Sequence, residues 1–283
     1  MKLNFFQWMP QSSTDQPNPP SLVFLHGMGG TGYIWRPIGA QLEDNFRCIA
    51  PDQRGHGLSR PVPLEEAHRF HALDYAQDVS ELLDSLSIHR YFIIGHSMGA
   101  RTALALAQLE PRKVLGLVSV DIGLSSQWGG GIGLPLATFL ENLPPEFHDR
   151  ATLKEYLFAN CPDPSIAQYL SAVAKKTTEN PETWTFPFDR ASLVETIHQA
   201  NEAPLETWLE QILNAGIRTT FLRGERSKVW LKEDYESQKQ KFQHPFLEFQ
   251  EWENCGHGLP FEQRARFTQF LRDLVKNGPI ELA

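Results

Sequence analysis

The stretch Tyr91-Phe92-Ile93-Ile94-Gly95-His96-Ser97-Met98-Gly99-Ala100 constrains this chain more than any other. A β-rich apolar run leads into a serine framed by glycines, and a helical pattern of small and apolar residues follows from Arg101 to Leu109. A strand that passes into a helix at a single residue leaves no room for side chains two places before and two places after it. Gly95 and Gly99 fill those places. Such a turn lifts the Ser97 hydroxyl out of the sheet. The bare five-residue pattern also arises by chance, Ser97 then being a plain turn serine, but the strand before it and the helix after it argue for an exposed hydroxyl.

The same alternation recurs along the chain. Strands are expected at Leu3 to Met9, Ser21 to Leu25, Phe46 to Pro51, Tyr91 to Gly95, Val114 to Val120, Ile217 to Leu222 and Phe246 to Trp252. Helical patterns lie between them at Ile34 to Leu42, Ala72 to Leu86, Met98 to Leu109, Lys232 to Phe242 and Phe261 to Val275. Several strands are almost continuously hydrophobic, as strands covered on both faces of a parallel sheet are. The expected fold class is α/β, a mostly parallel sheet flanked by helices. After Asp121 these units stop, and residues 124–205 are expected to form an inserted cap between core segments 1–123 and 206–283. Cap helices are expected at Pro135 to Asn142, Arg150 to Asn160 and Ser165 to Lys176. The glycine run after Trp128 would let the cap flex. Trp128, Phe139, Trp184, Phe186 and Phe188 are candidates to line an apolar substrate pocket, with cap core as the alternative.

A net charge of -8 argues against nucleic acid or an anionic membrane as the main partner. The first residues carry only Lys2 and reach Met9-Pro10 before any long apolar run, so they lack a signal-peptide layout, and no window approaches the ~18 apolar residues of a membrane span. Cys48, Cys161 and Cys255 are too few and too scattered for a disulfide framework, which suggests a reducing, cytoplasmic setting. No second pair of ligands accompanies Cys255 and His257, so no metal is expected.

A serine hydroxyl is nearly inert at neutral pH and needs a base. His257 is the candidate. It lies in Asn254-Cys255-Gly256-His257-Gly258-Leu259-Pro260, after the last strand, where a parallel sheet gathers groups at the carboxyl ends of its strands. His96 adjoins the serine and points elsewhere, and His26 and His56 sit in tight turns that suit structural hydrogen bonds. Developing negative charge would need backbone N–H donors. Met98, opening the helix after Ser97, offers one, and Met28 in His26-Gly27-Met28-Gly29-Gly30 offers the other.

These segments, with Asp52-Gln53-Arg54-Gly55-His56-Gly57-Leu58-Ser59, stand in the order seen in the α/β-hydrolase superfamily, which the chain resembles over essentially its whole length. Val118-Ser119-Val120-Asp121-Ile122 and Phe221-Leu222-Arg223-Gly224-Glu225-Arg226-Ser227 are similar to the esterase and thioesterase branch that includes the abhydrolase-domain-11 type. In most relatives the acid of the triad stands about where Ser227 is, and a serine cannot serve; the resembling branch takes it from the position of Asp121. Asp121 ends a strand on the same edge as Ser97, whereas Glu225 is flanked by Arg223 and Arg226, which suits a surface ion pair as well. The resemblance implies a serine hydrolase of carboxylic esters or thioesters, with Ser97, His257 and Asp121 as triad, no metal and no organic cofactor, and a small acyl substrate as its partner. Carbon-carbon bond hydrolysis, aminopeptidase activity and a non-catalytic ligand receptor are the alternatives it leaves. Epoxide and haloalkane hydrolases of this fold would carry an aspartate in place of Ser97.

Overall fold

The computed structural model describes residues 1–10, 20–125, 133–177, 182–200 and 202–276. Its first half runs β1 (Phe5–Trp8), β2 (Ser21–Leu25), α1 (Arg36–Leu42), β3 (Arg47–Pro51), α2 (Ala72–Ser85), β4 (Tyr91–His96), α3 (Met98–Leu109) and β5 (Val114–Val120). Then come α4 (Gly133–Asn142), α5 (Arg150–Asn160), α6 (Pro164–Val173), β6 (Lys175–Lys176), β7 (Trp184–Thr185) and α7 (Arg190–Ala200). The chain returns through α8 (Leu205–Asn214), β8 (Arg218–Gly224), α9 (Lys232–Lys241), β9 (Leu247–Trp252), α10 (Leu259–Glu262) and α11 (Arg264–Lys276).

Seven of these strands make one sheet in the order β1-β3-β2-β4-β5-β8-β9. Only β1 is antiparallel to its neighbour; the other pairings are parallel. The hydrophobic runs follow from double coverage. On β2, Val23 and Leu25 pack with α2, α3 and α8, while Leu22 and Phe24 face Trp35, α1 and α11. Alternate residues of one strand therefore feed two cores, and the sequence has no polar face to show.

The strand positions agree with expectation to within one or two residues. Three of the differences among the helices lie between residues 164 and 214. Helix α8 is absent from the expected pattern, although Leu205, Trp208, Leu209, Ile212 and Leu213 recur at helical spacing and are buried. α7 likewise occupies a stretch for which no helix was expected. The helix expected to reach Lys176 ends at Val173, because Lys175 and Lys176 pair with Thr185 and Trp184 in a small antiparallel ribbon.

Elements α4 to α7 share a buried cluster of their own, joined to the core through Ala100 and Ile122. Arg101 on α3 reaches both ends of this segment, its guanidinium donating to Ala200 O at 2.8 Å and Ser125 O at 2.9 Å. Burial lowers that guanidinium to about 10, still well above neutrality, so the tie keeps its charge. The Asp52–Ser59 turn provides a second dock, with Gly57 N–H on Pro187 O and Asp189 N–H on Gly55 O at 2.6 and 2.8 Å. Among the described residues no helix is long and apolar enough to cross a membrane.

Candidate active site

Ser97 stands between the end of β4 and the start of α3 with φ 54 and ψ -120, a left-handed backbone that a side-chain-bearing residue adopts only under constraint. The constraint is visible. A Cβ on Gly95 would fall 2.2 Å from Gly99 O, and one on Gly99 would fall 2.4 Å from Leu25 O, so strand and helix cross at a separation only glycine permits. Ser97 N–H is tied to Val120 O at 2.9 Å, which holds the strained turn to β5.

At the carboxyl end of β5, Asp121 has φ 53 and is fully buried. Its Oδ2 accepts from His257 Nδ1 at 2.7 Å and from Ser227 Oγ at 2.5 Å, and its Oδ1 accepts from Gly224 N–H at 2.8 Å. Because a carboxylate only accepts, Nδ1 is the donor in this contact. Ser227 Oγ in turn accepts the Val229 and Trp230 amides at 3.2 and 3.3 Å, which directs its own proton to Asp121. Glu225 is exposed and accepts Asn254 N–H at 2.9 Å; it has no contact with His257.

Ser97 and His257 line the same cavity of about 50 Å³, and among the described residues no direct hydrogen bond joins them. The rest of the wall is Gly27, Met28, His96, Leu136, Leu140, Ile166, Tyr169, Leu170, Leu193 and Val229. Met28 sits in the turn closed by Gly30 N–H on Gly27 O, and His56 Nε2 accepts the Gly29 amide at 3.0 Å, so neither contact uses the Met28 amide. Met98 opens α3, whose first amides have no carbonyl one turn back.

His26, His56 and His96 are buried and hydrogen-bonded to backbone groups. His26 Nε2 accepts Gln53 N–H at 3.0 Å, and His56 Nδ1 lies 2.8 Å from Arg54 O. His96 Nε2 is 2.7 Å from the His257 carbonyl, to which it must donate. Burial lowers His26 to about 4 and His56 and His96 to about 3, so all three are neutral near pH 7. Arg54, fully buried, meets Asp78 through Nε at 2.8 Å and its NH2 nitrogen at 2.9 Å. That pair fixes the turn against α2, with no part in the cavity wall.

Two of the candidate pocket aromatics, Trp184 and Phe186, stand away from the cavity that holds Ser97. Trp184 pairs with Phe147 and lies under Arg150, whose guanidinium is 5.1 Å from its ring centroid. Phe186 stacks on Phe188 at 5.1 Å and is edge-on to Phe147. Neither lines the cavity, and Trp128 lies outside the described residues. The wall is instead aliphatic, from Leu136 and Leu140 four apart on α4 and Ile166 and Leu170 four apart on α6. That spacing was the available signal, and it looks the same as ordinary core packing.

Comparison with known proteins is consistent with this geometry. The model of the alpha/beta hydrolase fold family matches residues 20–262. Epoxide hydrolase B of Mycobacterium tuberculosis is 36% identical over 138 residues, covering 48% of this chain and 37% of that protein. The 2-(acetamidomethylene)succinate hydrolase of Mesorhizobium japonicum is 37% identical over 103 residues, 36% of this chain and 35% of the relative. The matched segments thus span little more than a third of these relatives' own length. Among solved structures, E-2-(acetamidomethylene)succinate hydrolase superposes with a TM-score of 0.77 at 21% identity, covering 97% of this chain and 95% of the other. A marine microorganism esterase gives 0.73 at 21% identity over 96% and 99%.

Proposed function

The chain belongs to the alpha/beta hydrolase fold family, and from that membership we propose that it is a serine hydrolase of carboxylic esters or thioesters. The observation that carries this is the line from Ser97 on its strained turn to His257 at the same cavity and on to Asp121, 2.7 Å from Nδ1. Ser97 Oγ attacks the acyl carbon while His257 Nε2 takes its proton. Asp121 holds the imidazole and stabilises the imidazolium. The Met28 and Met98 amides receive the oxyanion. When the tetrahedral species collapses, His257 returns the proton to the leaving alcohol or thiol and an acyl-Ser97 ester remains. Water, deprotonated by His257, then attacks that ester and releases the acid. Serine at position 97 favours this chemistry over epoxide opening, for which the fold would carry a carboxylate there.

Residues 124–205 act as a cap in this proposal. Leu136, Leu140, Ile166, Leu170 and Leu193 from this segment close the cavity over Ser97, which suits an apolar acyl group.

Ser97→Ala tests the assignment. The variant is expected to fold as the parent does and to lose p-nitrophenyl ester hydrolysis and fluorophosphonate labelling together, with kcat reduced by orders of magnitude, because nucleophile and base act as a unit. Retention of more than about a tenth of kcat would place the nucleophile elsewhere.

A further inference from the structure

The cap brings to the cavity over Ser97 a polar group that the chemistry above does not use. Tyr169, on α6, lines it, and its hydroxyl is shielded from bulk water without a hydrogen-bond partner. A Cβ on Gly30 would lie 2.2 Å from that oxygen, so glycine at position 30 is what admits the phenol beside the Gly27-Gly30 turn. Burial pushes the phenol's pKa up, and the group stays a donor across the working range. His96 Nδ1 is also unpaired at the wall, facing Gly27, but it is an acceptor, since Nε2 carries the proton given to the His257 carbonyl. The remaining side chains brought by the cap are aliphatic. A buried hydroxyl without an acceptor destabilises the fold, and phenylalanine would occupy nearly the same volume without that cost.

We propose that Tyr169 is a polar subsite: its O–H binds a second acceptor oxygen, an ether or carbonyl oxygen that the substrate carries in addition to its scissile carbonyl. The favoured substrates are then oxygen-bearing esters or thioesters rather than plain hydrocarbon ones. This rests on the serine-hydrolase proposal for the same cavity. Tyr169 binds and positions; it moves no proton in the reaction. Its hydroxyl stands beside Gly30, two residues past Met28, on the rim of the same turn.

Isosteric ester pairs measured on the parent and on Tyr169→Phe provide the test. In the acyl arm, p-nitrophenyl methoxyacetate is compared with p-nitrophenyl butanoate. In the alcohol arm, 2-methoxyethyl acetate is compared with butyl acetate. The kcat/KM ratio within a pair, divided between the two proteins, cancels the intrinsic reactivity of the esters. Tyr169→Phe is expected to lower that ratio by roughly ten-fold in one arm, the loss expected for one buried hydrogen bond, and the arm affected identifies the side of the scissile bond on which the acceptor lies. The melting temperature of Tyr169→Phe is expected to equal or exceed the parent's. Ratios unchanged in both arms would overturn the proposal, whether the rates stay constant or fall equally on every ester. Equal falls would assign the hydroxyl to the scissile carbonyl, and a lowered melting temperature with unchanged ratios would assign it to the fold. If the parent hydrolyses none of the four esters and Ser97 resists fluorophosphonate, the serine-hydrolase proposal itself fails. A parent that is active with unchanged ratios overturns only the subsite.

Discussion

At the residue scale the proposed mechanism turns on Asp121. Its carboxylate takes three donors, the His257 imidazole, the Ser227 hydroxyl and the Gly224 amide, at 2.7, 2.5 and 2.8 Å. Ser227 donates to that carboxylate while its oxygen accepts the Val229 and Trp230 amides. Asp121→Asn is expected to leave the fold intact and to lower kcat by up to ~10⁴, since an amide facing Nδ1 favours the wrong tautomer. Glu225→Gln keeps an acceptor for the Asn254 amide, removes only an exposed charge and should cost little. Ser227→Ala, which frees one lone pair of the buried carboxylate, is expected to fall between them, at roughly ten-fold. Kinetics on folded protein with one activated ester rank the three variants. A larger loss for Glu225→Gln than for Asp121→Asn would transfer the role to Glu225.

At the scale of elements, the sheet and the chain of functional turns were legible because each carries a local signature. Strands with both faces buried are continuous apolar runs, and the Ser97 turn needs glycines at fixed offsets. Helix α8 went unread although its stripe from Leu205 to Leu213 is clear, because it directly follows a segment without strand-helix units and no capping side chain marks its start. The cavity wall was illegible for a different reason. Trp184 and Phe186 pack against Phe147 and Phe188 within the segment's own core, while the wall is made by leucines whose spacing is that of any buried helix face. Nothing in a single sequence distinguishes a leucine facing a cavity from one facing a neighbour. The wall therefore predicts specificity where the aromatics do not. Leu140→Ala, and separately Leu170→Ala, should move the preferred p-nitrophenyl ester to longer chains, because each deletes side-chain volume from a cavity of only about 50 Å³. Trp184→Ala should leave the profile in place and lower stability. A chain-length series from acetate to octanoate reads both, and an unmoved profile for both leucine variants would mean that the cap rearranges around the substrate.

For the whole molecule, the two faces of the sheet and the segment over Ser97 form separate apolar clusters, and neutral histidines occupy the seam where they meet. His26 ties the first turn to Gln53, His56 ties Gly29 to the Asp52–Ser59 turn, and His96 ties the Ser97 turn to the His257 loop. Each is at most 2% exposed. Their folded pKa values are lowered from 6.5 to about 4, 3 and 3, mainly by burial, with His26 adding to the shift of His56 and His257 to that of His96. The sign of the linkage follows directly. Below pH 6.5 the unfolded chain takes up protons that the folded chain refuses, so stability declines as pH falls and continues to decline until the folded values are reached. Each refused proton costs about 1.4 kcal/mol per pH unit once the pH is well below 6.5, and with three such groups the loss between pH 7.5 and 5.5 should be on the order of a few kcal/mol. Urea midpoints at those two pH values measure it, and the fall should be smaller in a His56→Asn variant that retains an acceptor for the Gly29 amide. Equal midpoints at both pH values would mean that the folded chain accommodates imidazolium at these seams, and that the three turns around Ser97 are not held together by buried neutral histidines.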